Sequence, residues 1–544
     1  MAIWEIKFGP DDPRVLGCLN NLASSYDILQ GDLVKAEPLY LRCIAIGEKN
    51  LDPYHQNIET FLKHLESLAI DLGSLASLYS RQGVHSKAAP LYRRALTIWE
   101  KILAPEYPFV AWSLGNLARQ YYFMGAYAKA EPLFQRNLAI VEKAFGSNNQ
   151  GIVLSLNYLA LLYEAMGSYA KAERLYQRGL TITEGSPPIY QDELGTILLN
   201  MGMTYLAIGS YTKSETLFLQ SLAIHEKEYG PEHPKLATML NNLAMLYDDM
   251  GDYTKAEPLF QRSLAMREKA FGAEHPTVAQ SMNNLAFSYN RQGAYAKAET
   301  FYKRALMIWE QMPGQEHPHL AKGLANLASL YDDIGEHAKA ELLLKRALPI
   351  TAGHEALELI AKINRALSNH YAKAGAPEVA IYYGKRALSV THTIQAGMVS
   401  MDIELQKAFM NKYSNDYQKL IKLLETQGHH TEAQQIGALL TDEGRSALDN
   451  RDSEKTDHVS VSSIPYTGPE KSLVEHYDAL CKLLVALTSE KEELDNKPKA
   501  SFTPEGTSRL EALSSEIQST RIRINEFIPK VYEELGKTDK DVTN

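Results

Sequence analysis

Asn241-Asn242-Leu243-Ala244-Met245-Leu246-Tyr247, followed after three residues by Gly251-Asp252-Tyr253-Thr254-Lys255-Ala256-Glu257-Pro258-Leu259-Phe260, is one copy of a pattern that fills most of the chain. Its glycine returns every 42 residues, at Gly83, Gly125, Gly167, Gly209, Gly251, Gly293 and Gly335. A fixed period of this length marks a solenoid, in which each repeat contacts its neighbours and the array grows lengthwise. Residues 276–312 show what one repeat contains. Val278, Met282, Leu285, Ala286 and Tyr289 recur at helical spacing, and so do Ala298, Phe301, Tyr302, Ala305 and Leu306 beyond Gly293. The glycine suits a left-handed residue that ends one helix before the chain turns back. His275-Pro276 opens the first helix, where the missing proline donor costs nothing. Small residues at Ala256, Ala298 and Ala340 let the paired helices approach closely. One hairpin cannot bury its apolar face alone, so neighbours must stack.

Composition narrows the function. The 544 residues carry a formal charge of −10, against the basic stripe of a general nucleic-acid binder. Cys18, Cys43 and Cys481 offer neither a disulfide framework nor a metal quartet and fit a reducing compartment. No apolar run approaches the ~20 residues needed to cross a bilayer. Residues 1–7 lack an apolar signal core, so a cytoplasmic protein is expected, with no direct contact to nucleic acid or membrane.

Asn-Asn-Leu-Ala, the tyrosine four before the glycine, Lys-Ala-Glu-Pro-Leu-Phe, and the Gly-x-Glu-His-Pro at 230–234 and 272–276 resemble the tetratricopeptide repeat in its 42-residue, kinesin-light-chain-like form. The resemblance spans roughly residues 9–350 and implies an all-α, right-handed α-solenoid of helical hairpins. A C-terminal antiparallel helical pair is expected to follow it. Leu473, Tyr477, Leu480, Leu484 and Leu487 face Leu510, Leu513, Ile517, Ile524 and Phe527 across a break at 496–498.

The chain divides into residues 1–8, the end of a preceding repeat helix; 9–352, an array of about eight repeats; 353–450, degenerate hairpins; 451–469, a linker; 470–536, a helical hairpin; and 537–544, a tail. The first segment is read from Ala2-Ile3-Trp4-Glu5, which matches Thr97-Ile98-Trp99-Glu100 near the end of a second helix. Ten extra residues between Gly31 and Gly83 predict a longer helix there, and Gly185-Ser186-Pro187-Pro188 predicts a looser join. The Glu432-Ala433 hairpin, Asp442-Glu443-Gly444-Arg445 and the charged helical pair resemble the segment that joins tetratricopeptide arrays to CHAT peptidases. No peptidase dyad is present in the 544 residues.

The asparagine five before the repeat tyrosine is the leading candidate for contact with a ligand: Asn21, Asn116, Asn200, Asn242, Asn284 and Asn326. The resemblance places it on the concave groove, where an amide both donates and accepts and so matches a peptide group whatever its side chain. The other reading has the same amides bonding a neighbouring helix. Flanking candidates are Trp112, Arg119, Gln280, Phe287, Arg291, Lys322, Lys362 and Arg365, the last three as a basic patch suited to an acidic peptide. Asp248, Asp249, Asp332 and Asp333 share these helices, so a simply solvated face is the competing reading.

His233, His275 and His317 fall in successive layers, too far apart for one tetrahedral site, and read as helix-opening residues. His429 and His430 show no carboxylate partner at ligand spacing, and His476 lies on a different helical face from Cys481. No phosphate loop, serine elbow or dinucleotide fingerprint appears. The expectation is a non-enzymatic scaffold without cofactor or metal, which binds an extended peptide or helix of another protein. The alternative is the sensing arm of a CHAT-type protease system, with that peptidase as partner.

Overall fold

The computed structural model describes residues 2–10, 12–29, 33–49, 58–147, 149–184, 191–312, 318–352, 356–440, 464–495 and 504–536. Among these there is no strand. The chain is an all-α solenoid of helical hairpins followed by an antiparallel helical pair. It divides into two compact units, residues 1–159 with 312–314, and residues 160–311 with 315–544.

The repeat motif is explained by what its residues touch. Gly251 has φ +81°, and its N–H reaches the Asp248 carbonyl at 2.9 Å while Asp252 N–H reaches that of Tyr247 at 2.8 Å. This is the paired Schellman closure of a helix, which needs a left-handed residue at the glycine. The tyrosine supplies the carbonyl of the turn and also a hydroxyl to the preceding repeat. Tyr247 Oη donates to Glu215 at 2.8 Å, Tyr289 Oη to Glu257 at 3.0 Å and Tyr331 Oη to Glu299 at 2.9 Å. The lysine of the same Lys-Ala-Glu segment covers the ring: Lys255 Nζ lies 4.8 Å from the Tyr247 centroid and Lys297 Nζ 5.1 Å from that of Tyr289. Ala256, Ala298 and Ala340 are fully buried where paired helices meet. Tyrosine, lysine and glutamate thus form the joint between successive hairpins.

In the first unit, the long helix Ile58–Arg81 has 24 residues against 16 in Pro108–Phe123, as the ten extra residues predict. Residues 50–57, the rest of that insertion, lie outside the described residues, as do Gly31 and the join at 185–190. A short helix, Ala2–Phe8, precedes the first hairpin, and its Glu5 pairs with Arg42 at 2.7 Å.

In the second unit the hairpins continue through Leu357–Lys373 with Pro377–Ala396, and Ile403–Thr426 with His430–Ala438. Residues 441–463, with Asp442-Glu443-Gly444-Arg445 and most of the expected linker, lie outside the described residues, as do 496–498 and the tail 537–544. Helices Gly468–Asp495 and Pro504–Asn525 then pair, and Leu473, Leu480, Leu484, Leu513 and Ile524 are buried between them and their surroundings. The second pattern, read as one helix to 535, restarts as Phe527–Leu535. Pro529 explains the break, since its missing donor is tolerated in a first turn but not in a helix interior.

The pair docks on its own array. Tyr477 Oη reaches the Leu348 carbonyl at 3.5 Å, and Arg386 lies 4.6 Å over the Tyr477 ring and 3.1 Å from Asp478. Lys385, 1% exposed, is clasped by Glu470 at 2.7 Å and by Glu432.

Candidate binding groove

Helices that open each hairpin carry the residues expected to meet a ligand, and the structure sorts them into three groups. The first is the asparagine row. Asn242, Asn284 and Asn326 are buried, and their amides join a ladder between repeats. Asn284 Nδ2 donates to Asn241 Oδ1 at 3.1 Å, and Asn326 Nδ2 to Asn283 Oδ1 at 3.0 Å. Asn284 and Asn326 each give one amide donor to the preceding repeat, while Asn242 Oδ1 accepts from Asn241 on its own helix at 3.4 Å. Asn200 is half-buried and its carbonyl accepts from Thr204 at 3.4 Å. In the first unit Asn21 is exposed, and its neighbour Asn20 bonds Asp71 of the next hairpin. Asn116 Nδ2 is buried without an acceptor among the described residues.

The second group lines a cleft of about 560 Å³ in the first unit. Its walls are Ile70, Trp99, Phe109 and Trp112, and Gly73 lies against the Trp112 ring. Trp99 and Phe109 stack with centroids 5.3 Å apart. Asp27, paired with Arg81, forms a polar end, and Asp27 Oδ1 and Trp99 Nε1 are both buried without a partner among the described residues. Arg119 lies 5.0 Å from the Tyr158 ring.

The third group is a charged chamber in the second unit. Lys322, Lys362 and Arg365 come together, as their positions on successive helices predict. Burial lowers the Lys362 ammonium to about 7, helped by the cations of Lys322 and Arg365, and burial lowers Lys322 as well. Arg365 pairs with Asp416 at 2.5 Å. Neither Lys322 nor Lys362 has a carboxylate within ion-pair distance among the described residues; Asp249 and Glu358 act on both through space. Phe287, 36% exposed, lies 5.3 Å below Lys362 Nζ. Gln280 is half-buried on the same helix. Arg291 is committed to Asp248 at 2.7 Å and Asp249 at 3.5 Å, and Lys373 takes Asp333 at 2.7 Å. The carboxylates that argued for a solvated face are therefore partnered, while two of the ammonium groups are not.

One feature of this chamber has no signal in the sequence. Helix Ile403–Thr426 returns to the start of its own unit. Lys412 Nζ donates to the carbonyls of Leu206 and Ala207 at 2.9 and 3.1 Å, at the C-terminal end of helix Gln191–Ile208. Phe409, fully buried, meets the Tyr169 ring at 6.3 Å, and Tyr169 bonds Glu358.

The remaining candidates resolve individually. His275 Nδ1 accepts from Thr277 N–H at 3.2 Å as a helix cap, and His233 Nδ1 accepts from Lys235 N–H at 3.3 Å. His317 lies outside the described residues. His429, expected to lack carboxylates, has Glu378 at 3.2 Å and Glu432 at 3.5 Å; the first comes from another helix and was invisible to local spacing. Cys481 is pushed up to about 11 by burial, the reverse of what a thiolate nucleophile needs. His476 stacks on Phe527 instead.

Two sequence profiles of the tetratricopeptide repeat match the chain, one over residues 66–136, 116–185, 193–269 and 277–352, the other over 15–57. No curated protein matches it. Among solved structures it is similar to a Podospora anserina putative kinesin light chain with nearly identical repeats, at 23% identity over 48% of this chain and 98% of that one, TM-score 0.25. It is also similar to BtubC (BKLC) from P. vanneervenii, at 21% identity over 43% and 92%, TM-score 0.34. A third is a Rap protein complexed with competence and sporulation factor, at 14% identity over 80% and 98%, TM-score 0.41.

Proposed function

The chain belongs to the tetratricopeptide repeat family, and from that premise we propose that it is a protein-interaction scaffold whose second unit binds an extended acidic segment of a partner protein. One observation carries the reading. Among the described residues, Lys322 and Lys362 are neighbouring, half-buried and without a carboxylate at ion-pair distance, beside an accessible aromatic ring, an arrangement that costs the folded protein and is relieved by an arriving carboxylate. Phe287 supplies an apolar anchor beside them. Arg291 and Arg365, already paired, hold the rim in place, and the asparagine ladder keeps the opening helices in register.

The test uses an extended peptide rich in glutamate and leucine, its glutamine counterpart, and the full chain. Fluorescence anisotropy should show binding of the acidic peptide, weakened by salt as charge pairing requires. Lys322→Gln with Lys362→Gln should abolish it, whereas Asn242→Ala should act mainly through stability. Equal binding of both peptides, or no effect of the double lysine variant, would overturn the proposal.

A further inference from the structure

At the end of helix Pro318–Asp333, three potential ligands from three helices converge. Asp332 Oδ1 accepts from His337 Nδ1 at 2.9 Å and from His370 Nδ1 at 2.8 Å. His337 opens helix His337–Thr351, and His370 belongs to the next hairpin, Leu357–Lys373. The donor atoms all lie within 4.8 Å of one another. Asp332 and His370 are buried, at 7% and 2% exposure, while the His337 side chain is 38% exposed and leaves one side open to water.

Comparison with the sister repeats shows that this cluster departs from the common joint. In two other repeats an acid three residues before the turn glycine meets the residue five before the next glycine. Glu164 accepts from Thr204 at 2.7 Å, and Asp248 accepts from Ser288. At Asp332 that place holds His370. The residue two after the glycine is tyrosine in the five preceding repeats, Tyr127, Tyr169, Tyr211, Tyr253 and Tyr295, and here it is His337. His85, after Gly83, is the other histidine at that place, and it faces the Gln120 amide; only at Asp332 do two imidazoles face one carboxylate oxygen among the described residues.

We propose that Asp332, His337 and His370 form a Zn(II) site that ties two adjacent hairpins together, a property beyond the binding function above. Two imidazole nitrogens and one carboxylate suit zinc better than the all-oxygen preference of magnesium or calcium. Bonds of about 2.0–2.2 Å in a tetrahedral set place ligand atoms about 3.3 Å apart, so each present contact widens by a few tenths of an ångström. Each neutral imidazole moves its one proton from Nδ1 to Nε2 by exchange with water, which frees the Nδ1 lone pair for the metal, and water fills the fourth position on the open side.

The experiment uses the full chain stripped with a chelator and titrated with Zn(II) and with Co(II). One equivalent should bind, the Co(II) form should show the visible bands of four-coordinate cobalt, and zinc should raise the Tm. His337→Tyr restores the residue of the sister repeats and so keeps the fold while removing a ligand. It should match the parent Tm in chelator and lose affinity on the order of 100-fold or more. Asp332→Asn should weaken binding likewise. No bound equivalent, or binding unchanged in both variants, would overturn the site and leave a hydrogen-bonded joint.

Discussion

Lys362 shows how one residue records its surroundings. Its ordinary pKa is 10.5 and the folded value is about 7. Below about pH 7 the folded protein holds a charge that burial disfavours, and the penalty is fully present. Between about 7 and 10.5 the unfolded chain binds more protons than the folded one, so this group's contribution to stability rises with pH. Lys362→Met should therefore raise the Tm at pH 6, with the advantage vanishing by pH 10. Calorimetry of the two proteins across that range checks it, and a pH-independent difference would place the effect in packing alone. A carboxylate ligand should raise this pKa again, so that binding near pH 8 takes up protons. Titration calorimetry in buffers of different ionisation heat would show that uptake. The residue types at this site were legible in the sequence, because position on successive helices brings Lys322, Lys362 and Arg365 to one face. The return of helix Ile403–Thr426 to the start of its own unit, where Asp416 takes Arg365, was not, because no repeat spacing announces it.

At the scale of the element, the turn glycine carries the repeat, and two copies separate backbone strain from crowding. Gly251 has φ +81° with open space where a Cβ would lie, so Gly251→Ala should cost about 1–2 kcal/mol from conformation alone. Gly209 has φ +89°, but a Cβ there would meet Lys412 Cβ at 3.1 Å and the Ala408 carbonyl at 3.2 Å. Gly209→Ala should therefore be the costlier change, and denaturant midpoints of the two variants decide the order. The hairpins were readable because period, turn and cap are local signals. The asparagine row shows the limit of such reading. A residue repeated for the joint between helices looks the same in sequence as one repeated for a ligand, and only the Asn284–Asn241 and Asn326–Asn283 bonds tell them apart. The docked helix Gly468–Asp495 adds a further test. Lys385→Met leaves Glu470 and Glu432 facing each other in a buried place, and breaking such a set costs about 3–5 kcal/mol. Limited proteolysis should then release the 468–535 helices ahead of the repeats.

Across a whole unit, the question is whether stability travels only between neighbours. An open solenoid behaves as a chain of adjacent interfaces, so a lesion in one repeat loosens the repeats beside it and little else. The second unit is different, because its last repeat helix is sealed to its first ones through Phe409, Lys412 and Gly209. Phe409 is fully buried, and Phe409→Ala should cost about 3–5 kcal/mol from lost burial and the cavity left behind. The informative result is where the loosening appears. Hydrogen exchange should accelerate in helix Ile403–Thr426 and also in 169–208, some 200 residues earlier in the chain, while helices Leu236–Asp249 and Pro276–Arg291 between them change less. Exchange confined to residues near 409 would mean that the ends of the unit merely touch. The predicted split would make the return of this helix a cooperative closure, and the chamber around Lys362 would then open or shut as one piece with it.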